Sequence, residues 1–293
     1  MRSQLLKGIK TLGLWIALLI IISSHALGQS ETPPTKKTTL IFGTANWCPY
    51  ICDPAHDKLA RRGYMIDLLD SIFRDSAYHI KIEMMTYMES IVRASRGELD
   101  GIIGTLPLDA PQLIYPSQEI GVGTDIFVTR EDSQWFFKQP ESLAAVRLGV
   151  VKGYEYKSLK TYKEKYQNTE QLQAIGTENS VNTTLRNLQK LFNHEIDAVL
   201  DNSEVIKFTS TIHNLAKTRE AGQLEDPYAM WLALSPHSKH WQEICKIQNH
   251  RLLELRKTGA LDFILRRYGL EDWRKEQHNL SRPTNLPGII RCH

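Results

Sequence analysis

In this 293-residue chain the most reactive side chains standing close together are in Cys48-Pro49-Tyr50-Ile51-Cys52. Two thiols this near can close a local bridge or serve as a redox dithiol. Redox motifs of the Cys-x-x-Cys kind place two residues between the sulfurs, and here there are three, which favours a structural bridge. Cys245 and Cys292 complete the set. Four cysteines allow three pairings, and the expected one joins Cys48 to Cys52 and Cys245 to Cys292. His237 and His240 precede Cys245, but no second cysteine pair completes a tetrahedral zinc set, so no metal site is expected. No Gly-x-Ser-x-Gly elbow, His-Glu-x-x-His helix or phosphate-binding loop occurs. Glu83, Glu89 and Asp109 are acids with nothing to pair them as acid and base. The expectation is a protein with no catalytic residue and no cofactor.

Charge and hydropathy bound what those residues can serve. Arg2, Lys7 and Lys10 account for the whole excess of 36 Lys and Arg over 33 Asp and Glu. They precede an apolar run over residues 12–22 that ends in Ala26-Leu27-Gly28. A basic start, a short apolar stretch and a small-x-small ending describe a secretory signal peptide. Spanning a bilayer takes about 20 apolar residues, roughly twice this run. Residues 1–28 are therefore expected to be removed and the protein to be periplasmic. An oxidising compartment lets disulfides persist. Without its leader the chain is neutral, and no basic stripe with interleaved aromatics appears, which excludes a nucleic-acid partner.

The elements that must position these residues follow from periodicity. Residues 38–43 read as a strand that ends at a glycine. Residues 64–75 carry apolar positions at helical spacing. A strand over 79–85, a helix over 87–96 and a short buried strand over 99–105 complete an α/β layer. The chain then reads as extended over 121–130 and linker-like over 131–141. A second α/β unit has strands at 147–151, 172–175 and 196–200 and helices at 158–166 and 183–192. A strand at 228–234 leads to closing helices at 241–255 and 260–268.

Five ordered segments resemble the type II periplasmic solute-binding proteins, in their family 3 branch linked to polar amino-acid uptake. Trp47-Cys48-Pro49-Tyr50 with Gly63-Tyr64-Met65-Ile66-Asp67-Leu68 resembles the family's opening segment. Gly97-Glu98-Leu99-Asp100-Gly101-Ile102 and Glu195-Ile196-Asp197-Ala198-Val199 with Asp201 resemble its two Gly-x-x-Asp strands. Leu148 to Tyr156 is similar to the start of its second lobe, and Gly259 with Tyr268-Gly269-Leu270 to its closing helices. The resemblance implies two α/β lobes joined by two hinge strands: lobe 1 from 38–128 and 228–275, lobe 2 from 132–225, and a tail over 276–293. It places the hinges near 127–131 and 226–230. It also implies a monomer that binds a small polar solute, such as an amino acid, between the lobes. The partner would be the membrane permease of an ABC importer, or a membrane sensor.

The ligand-facing positions implied are Trp47 and Tyr50 after the first strand, Thr105 at the end of the 99–105 strand, and Gly153 and Tyr154 at a strand end. Asp201 matches the family's acid that pairs with an amino group, whereas Asp197 reads as structural. One departure stands out. Amino-acid binders of this family carry an arginine after the strand that Thr105 ends, and it grips the ligand carboxylate through a bidentate pair. Residues 105–115 contain neither Arg nor Lys. Another cation such as Lys152 would have to replace it, or the ligand is something else.

Overall fold

The computed structural model describes residues 37–54, 59–152, 154, 156–167, 169–175, 182–276 and 288–292. The expected signal peptide and Gly153 lie outside the described residues. β1 (Thr38–Thr44), rich in β-branched and aromatic side chains, runs parallel to β2 (Tyr78–Met84) and β3 (Gly101–Thr105). Each crossover carries a helix: α1 (Tyr64–Phe73) and α2 (Tyr87–Ser95). β4 (Ile114–Pro116) and β5 (Gly121–Gly123) follow. α1 buries Met65, Leu68 and Leu69 completely. Burying each such side chain stabilises the fold by about 1.5–3 kcal/mol. α1 begins without a side-chain cap at Gly63, whose φ of 93° is open to glycine. A Cβ there would lie 2.4 Å from the Tyr50 carbonyl oxygen. Pro49 and Tyr50 instead accept the first amide protons of the helix, from Tyr64 and Met65 at 3.0 Å. That close approach fixes the Cys48–Cys52 loop against the helix start.

The second sheet begins with β6 (Asp125–Arg130). β7 (Leu148–Val151), α3 (Lys160–Tyr166), β8 (Leu172–Ile175), α4 (Thr183–Phe192), β9 (Ala198–Asn202), α5 (Ser203–Ile212) and β10 (Thr218–Gln223) follow. Its five strands lie in the order β10-β6-β9-β7-β8, with β7, β8 and β9 parallel and the other pairings antiparallel. Asp197 is structural, as its place in the motif implies. It takes a bidentate pair from Arg147 at 2.9 Å, whose hydrogen bonds hold its carboxyl below the usual range. The 131–141 stretch is packed rather than loose: Phe137 stacks on Phe127 with ring centroids 4.2 Å apart.

The chain returns through β11 (Tyr228–Leu234) into the first sheet, which closes with α6 (Trp241–Lys257), α7 (Ala260–Arg266), the short α8 (Trp273–Glu276) and β12 (Ile290–Cys292). The strand order is β12-β4-β11-β3-β1-β2, with β5 paired to β11. The residues expected to form a tail thus contribute a strand. The crossings fall earlier than expected. β5 pairs in the first sheet and β6 in the second, so the chain changes sheets at Thr124, and it returns over residues 224–227. The expected hinge at 127–131 is ladder instead, because Asp125 already opposes Asn202.

Cys48 pairs with Cys52 and Cys245 with Cys292, the second across 47 residues. Closing a loop of that size is worth about 2–4 kcal/mol. A Cys245→Ala/Cys292→Ala double variant is expected to lose that much stability in urea denaturation, with an unchanged far-ultraviolet circular dichroism spectrum. A loss under 1 kcal/mol would show that the bridge constrains nothing.

Candidate functional site

Trp47 follows the carboxyl end of β1 and makes an isolated antiparallel bridge to Ile51, with backbone hydrogen bonds of 2.7 and 3.0 Å. This small turn lays the indole on the Tyr50 ring, with centroids 4.4 Å apart and planes at 29°. The indole Nε1 is buried and, among the described residues, has no hydrogen-bond partner. Thr105 ends the strand next to β1, is fully buried, and its Oγ1 likewise lacks a partner. A buried polar atom without a partner costs about 1–3 kcal/mol. Two of them sit at the carboxyl ends of neighbouring parallel strands, where α/β sheets receive ligands.

In the second lobe Asp201 lies near the carboxyl end of β9, with 1% of its surface exposed. Its Oδ2 accepts a 2.6 Å hydrogen bond from Thr184 at the start of α4, and its Oδ1 accepts the Asn202 amide at 2.8 Å. Burial pushes its carboxyl up to about 7, and those two hydrogen bonds oppose the shift without cancelling it. Asp125, across the ladder from Asn202, is pushed up to about 6 by burial, against a hydrogen bond from Tyr228. Among the described residues neither acid forms an ion pair.

Asn202 ties the lobes together. Its Oδ1 caps α5 by accepting the Glu204 and Val205 amides at 3.0 and 3.3 Å. The same oxygen lies 3.0 Å from the Tyr50 hydroxyl, which can alternatively donate to the Val122 carbonyl at 3.1 Å. The Asn202 amide donates to the Tyr228 hydroxyl at 3.3 Å, and that hydroxyl donates to Asp125 at 3.1 Å. Gly123 makes room for this chain, since a Cβ there would lie 2.6 Å from the Tyr228 ring and 2.9 Å from Asn202 Nδ2. Tyr50, Val122, Ser203, Glu204, Glu271 and Trp273 help line a cavity of about 60 Å³, room for waters only.

The structure therefore places Trp47, Thr105 and Asp201 at the sheet ends. Tyr50 backs the indole, and its hydroxyl is engaged at the crossing. Tyr154 is half-buried against the second core, its ring 5.9 Å from that of Tyr156. Lys152 is exposed on the turn after β7. Cys245, in its disulfide, is withdrawn from any zinc set with His237 and His240. Among the described residues no group of His, Cys, Asp and Glu is arranged to hold a metal, and no helix is long and apolar enough to cross a membrane. Sequence reasoning missed Asn202, Asp125 and Tyr228. Asn202 carried a signal, because Asn-Ser-Glu before a helical run is an N-cap pattern.

No protein-family model and no curated protein matches the chain. Solved structures do. One from the glutathione import work on GshT and the cystine ABC importer TcyBC of Streptococcus mutans superposes with a TM-score of 0.63 at 15% identity, over 82% of this chain and 100% of that one. A histidine kinase sensor domain with similarity to periplasmic binding proteins gives 0.60 at 16% identity, over 81% and 99%. A mutant of ArgBP from T. maritima gives 0.59 at 19% identity, over 78% and 94%.

A group with a raised acid pKa binds more protons folded than unfolded, so its contribution to stability falls as pH rises through that range. Removing the charge at Asp201 is therefore expected to help more at high pH. The stability of Asp201→Asn relative to the unaltered protein should climb between pH 5 and pH 8 in parallel denaturation series. A flat difference would mean that Asp201 titrates normally.

Proposed function

On the premise that the chain has the type II periplasmic-binding-protein fold, with two α/β lobes, we propose that it is an exported, non-catalytic binder of a small polar solute. It holds the solute between the lobe built on the first sheet (38–123, 228–276 and 288–292) and the lobe built on the second (125–223), and delivers it to the membrane permease of an ABC importer. The observation that carries this reading is the pair of buried, unpartnered polar atoms, Trp47 Nε1 and Thr105 Oγ1, at the carboxyl ends of the first sheet. Atoms so placed are satisfied by a ligand's acceptors and donors. Trp47, Thr105 and Asp201 supply contacts, with Tyr50 as the wall behind the indole. On the second-lobe side the family resemblance nominates Tyr154, half-buried beside the second core. Lobe closure then needs backbone changes only at Thr124 and over 224–227.

The non-catalytic reading is supported by the solved structures the chain resembles, which are mostly solute-binding proteins, and the acids singled out in the sequence are engaged in ordinary pairs. Glu83 is held by Lys81 and Arg93, and Asp109 accepts the Tyr87 hydroxyl. The similarity to a kinase sensor domain supports one alternative, a periplasmic sensor that signals through a membrane partner.

The test is a titration of the purified protein with amino acids, amines, small carboxylates, peptides and sugars, followed by Trp fluorescence and by X-ray scattering. A ligand should quench or shift the Trp47 emission and reduce the radius of gyration. Trp47→Ala should weaken binding about tenfold or more, the loss of a desolvated aromatic contact of about 1–2 kcal/mol. Failure of every class to bind would overturn the solute-binding reading. Uptake abolished by deleting the gene would support the importer role, and a lost transcriptional response with uptake intact would support the sensor.

A further inference from the structure

Charge at the site is one-sided. Asp201 stands near the carboxyl end of β9, Asp125 opposes its neighbour Asn202 in the ladder, and Glu204 lies in the first turn of α5. The field of all three reaches the Tyr50 hydroxyl, and together with burial it raises that group's pKa. Among the described residues, the cations that could approach these acids are engaged elsewhere or face solvent. Arg130, at the far end of β6, donates to the Leu191 and Ile196 carbonyls at 2.8 and 3.1 Å. Lys163 lies 5.6 Å over the Tyr156 ring and donates to the Tyr154 carbonyl. Lys207 of α5 is exposed at the rim of the small cavity that Tyr50 and Glu204 line, away from Asp201's hydrogen-bond partners, and Lys152 is exposed on its turn. Arg61 lies over the Phe208 and Tyr268 rings. In the first lobe, residues 105–115 hold no Arg or Lys to meet a carboxylate.

Independently of the acids, the first lobe offers an aromatic plate and two neutral groups. Trp47 stacked on Tyr50 presents an indole suited to a cation. Trp47 Nε1 and Thr105 Oγ1, buried and unpartnered, are suited to a neutral hydroxyl or carbonyl. A zwitterion would bring a carboxylate into a field already negative and find only neutral donors to receive it. An amine would find the Asp201 carboxylate, which can accept more hydrogen bonds than the two it has.

We propose that this site selects an organic cation without a carboxylate, an alkylamine or guanidinium compound, over the corresponding amino acid. The inference rests on the solute-binding reading above and adds the ligand's class. It has a protonic consequence. Among the described residues, the groups that act on Asp201 are the Asp125 carboxyl from β6, the Thr184 hydroxyl from α4, the Asn202 backbone amide, and the Tyr156 and Tyr50 hydroxyls. None of them supplies positive charge. A bound cation would therefore lower the Asp201 pKa, and near neutral pH the protein would release protons on binding.

The experiment is isothermal calorimetry with matched pairs that differ by a carboxylate: agmatine against arginine, cadaverine against lysine, and argininamide against arginine. At least one member lacking the carboxylate should bind tenfold or more tightly than its partner. Repeating that titration at pH 7 in buffers of different ionisation enthalpy should reveal net proton release, reduced in Asp201→Asn. Asp125→Asn serves as a second variant should Asp201→Asn fail to fold, and it should weaken amine binding. An amino acid binding as tightly as its amine, or a neutral sugar or a carboxylate binding in place of both, would overturn the cation assignment and leave solute binding intact. No heat with any class of solute would overturn both.

Discussion

The hydrogen bonds that join the two sheets meet at the side chain of Asn202, beside the packing of Val205 and Phe208 into the first core. One amide ends β9, caps α5, meets the Tyr50 hydroxyl from the first lobe and holds Tyr228 against Asp125. Such a network is strong because it is buried, where each hydrogen bond is made in a low dielectric. It is also costly to disturb, since a lost partner leaves the others unsatisfied. The residues that would contact a solute and the residues that join the lobes are therefore neighbours in one chain of contacts, running from Trp47 through Tyr50 to Asn202 and Asp201.

That arrangement forms one continuous line of contacts from the turn after β1 to the crossing between the sheets. Trp47 lies on Tyr50, and the Tyr50 hydroxyl chooses between Val122, just before the first crossing, and Asn202. The two acceptors belong to different lobes, so the hydroxyl is placed where the relative position of the lobes is decided.

Much of the fold was legible in the sequence. Strong periodicity marked the helices at 64–73 and 183–192 and the strands at 172–175 and 228–234, and the fold class followed from their alternation. β10 escaped because Thr-Arg-Glu-Ala-Gly-Gln has only one fully buried side chain and little β character, so tertiary pairing alone makes it a strand. The crossing at Thr124 escaped because residues 121–130 read as one continuous extended run, although two sheets share it. Trp47, Thr105 and Asp201 were singled out through the family resemblance, and their places at or near strand ends were legible because a carboxyl end is a local feature. Asp125 and Tyr228 were not, because their role depends on two distant strands meeting at Gly123, and no spacing in the chain encodes that meeting.

The C-terminal strand has a further meaning for the isolated molecule. β4 is buried along its whole length, and its outer hydrogen-bonding side is occupied by β12, held in register opposite residues 114–116 and stapled to α6 through Cys292. Without that short cover the first sheet would present an apolar, unpaired edge to any other extended chain, the usual seed of intermolecular strand addition. The Cys245–Cys292 disulfide therefore does more than protect stability here. It locks in place the piece of chain that keeps the sheet from growing beyond one molecule.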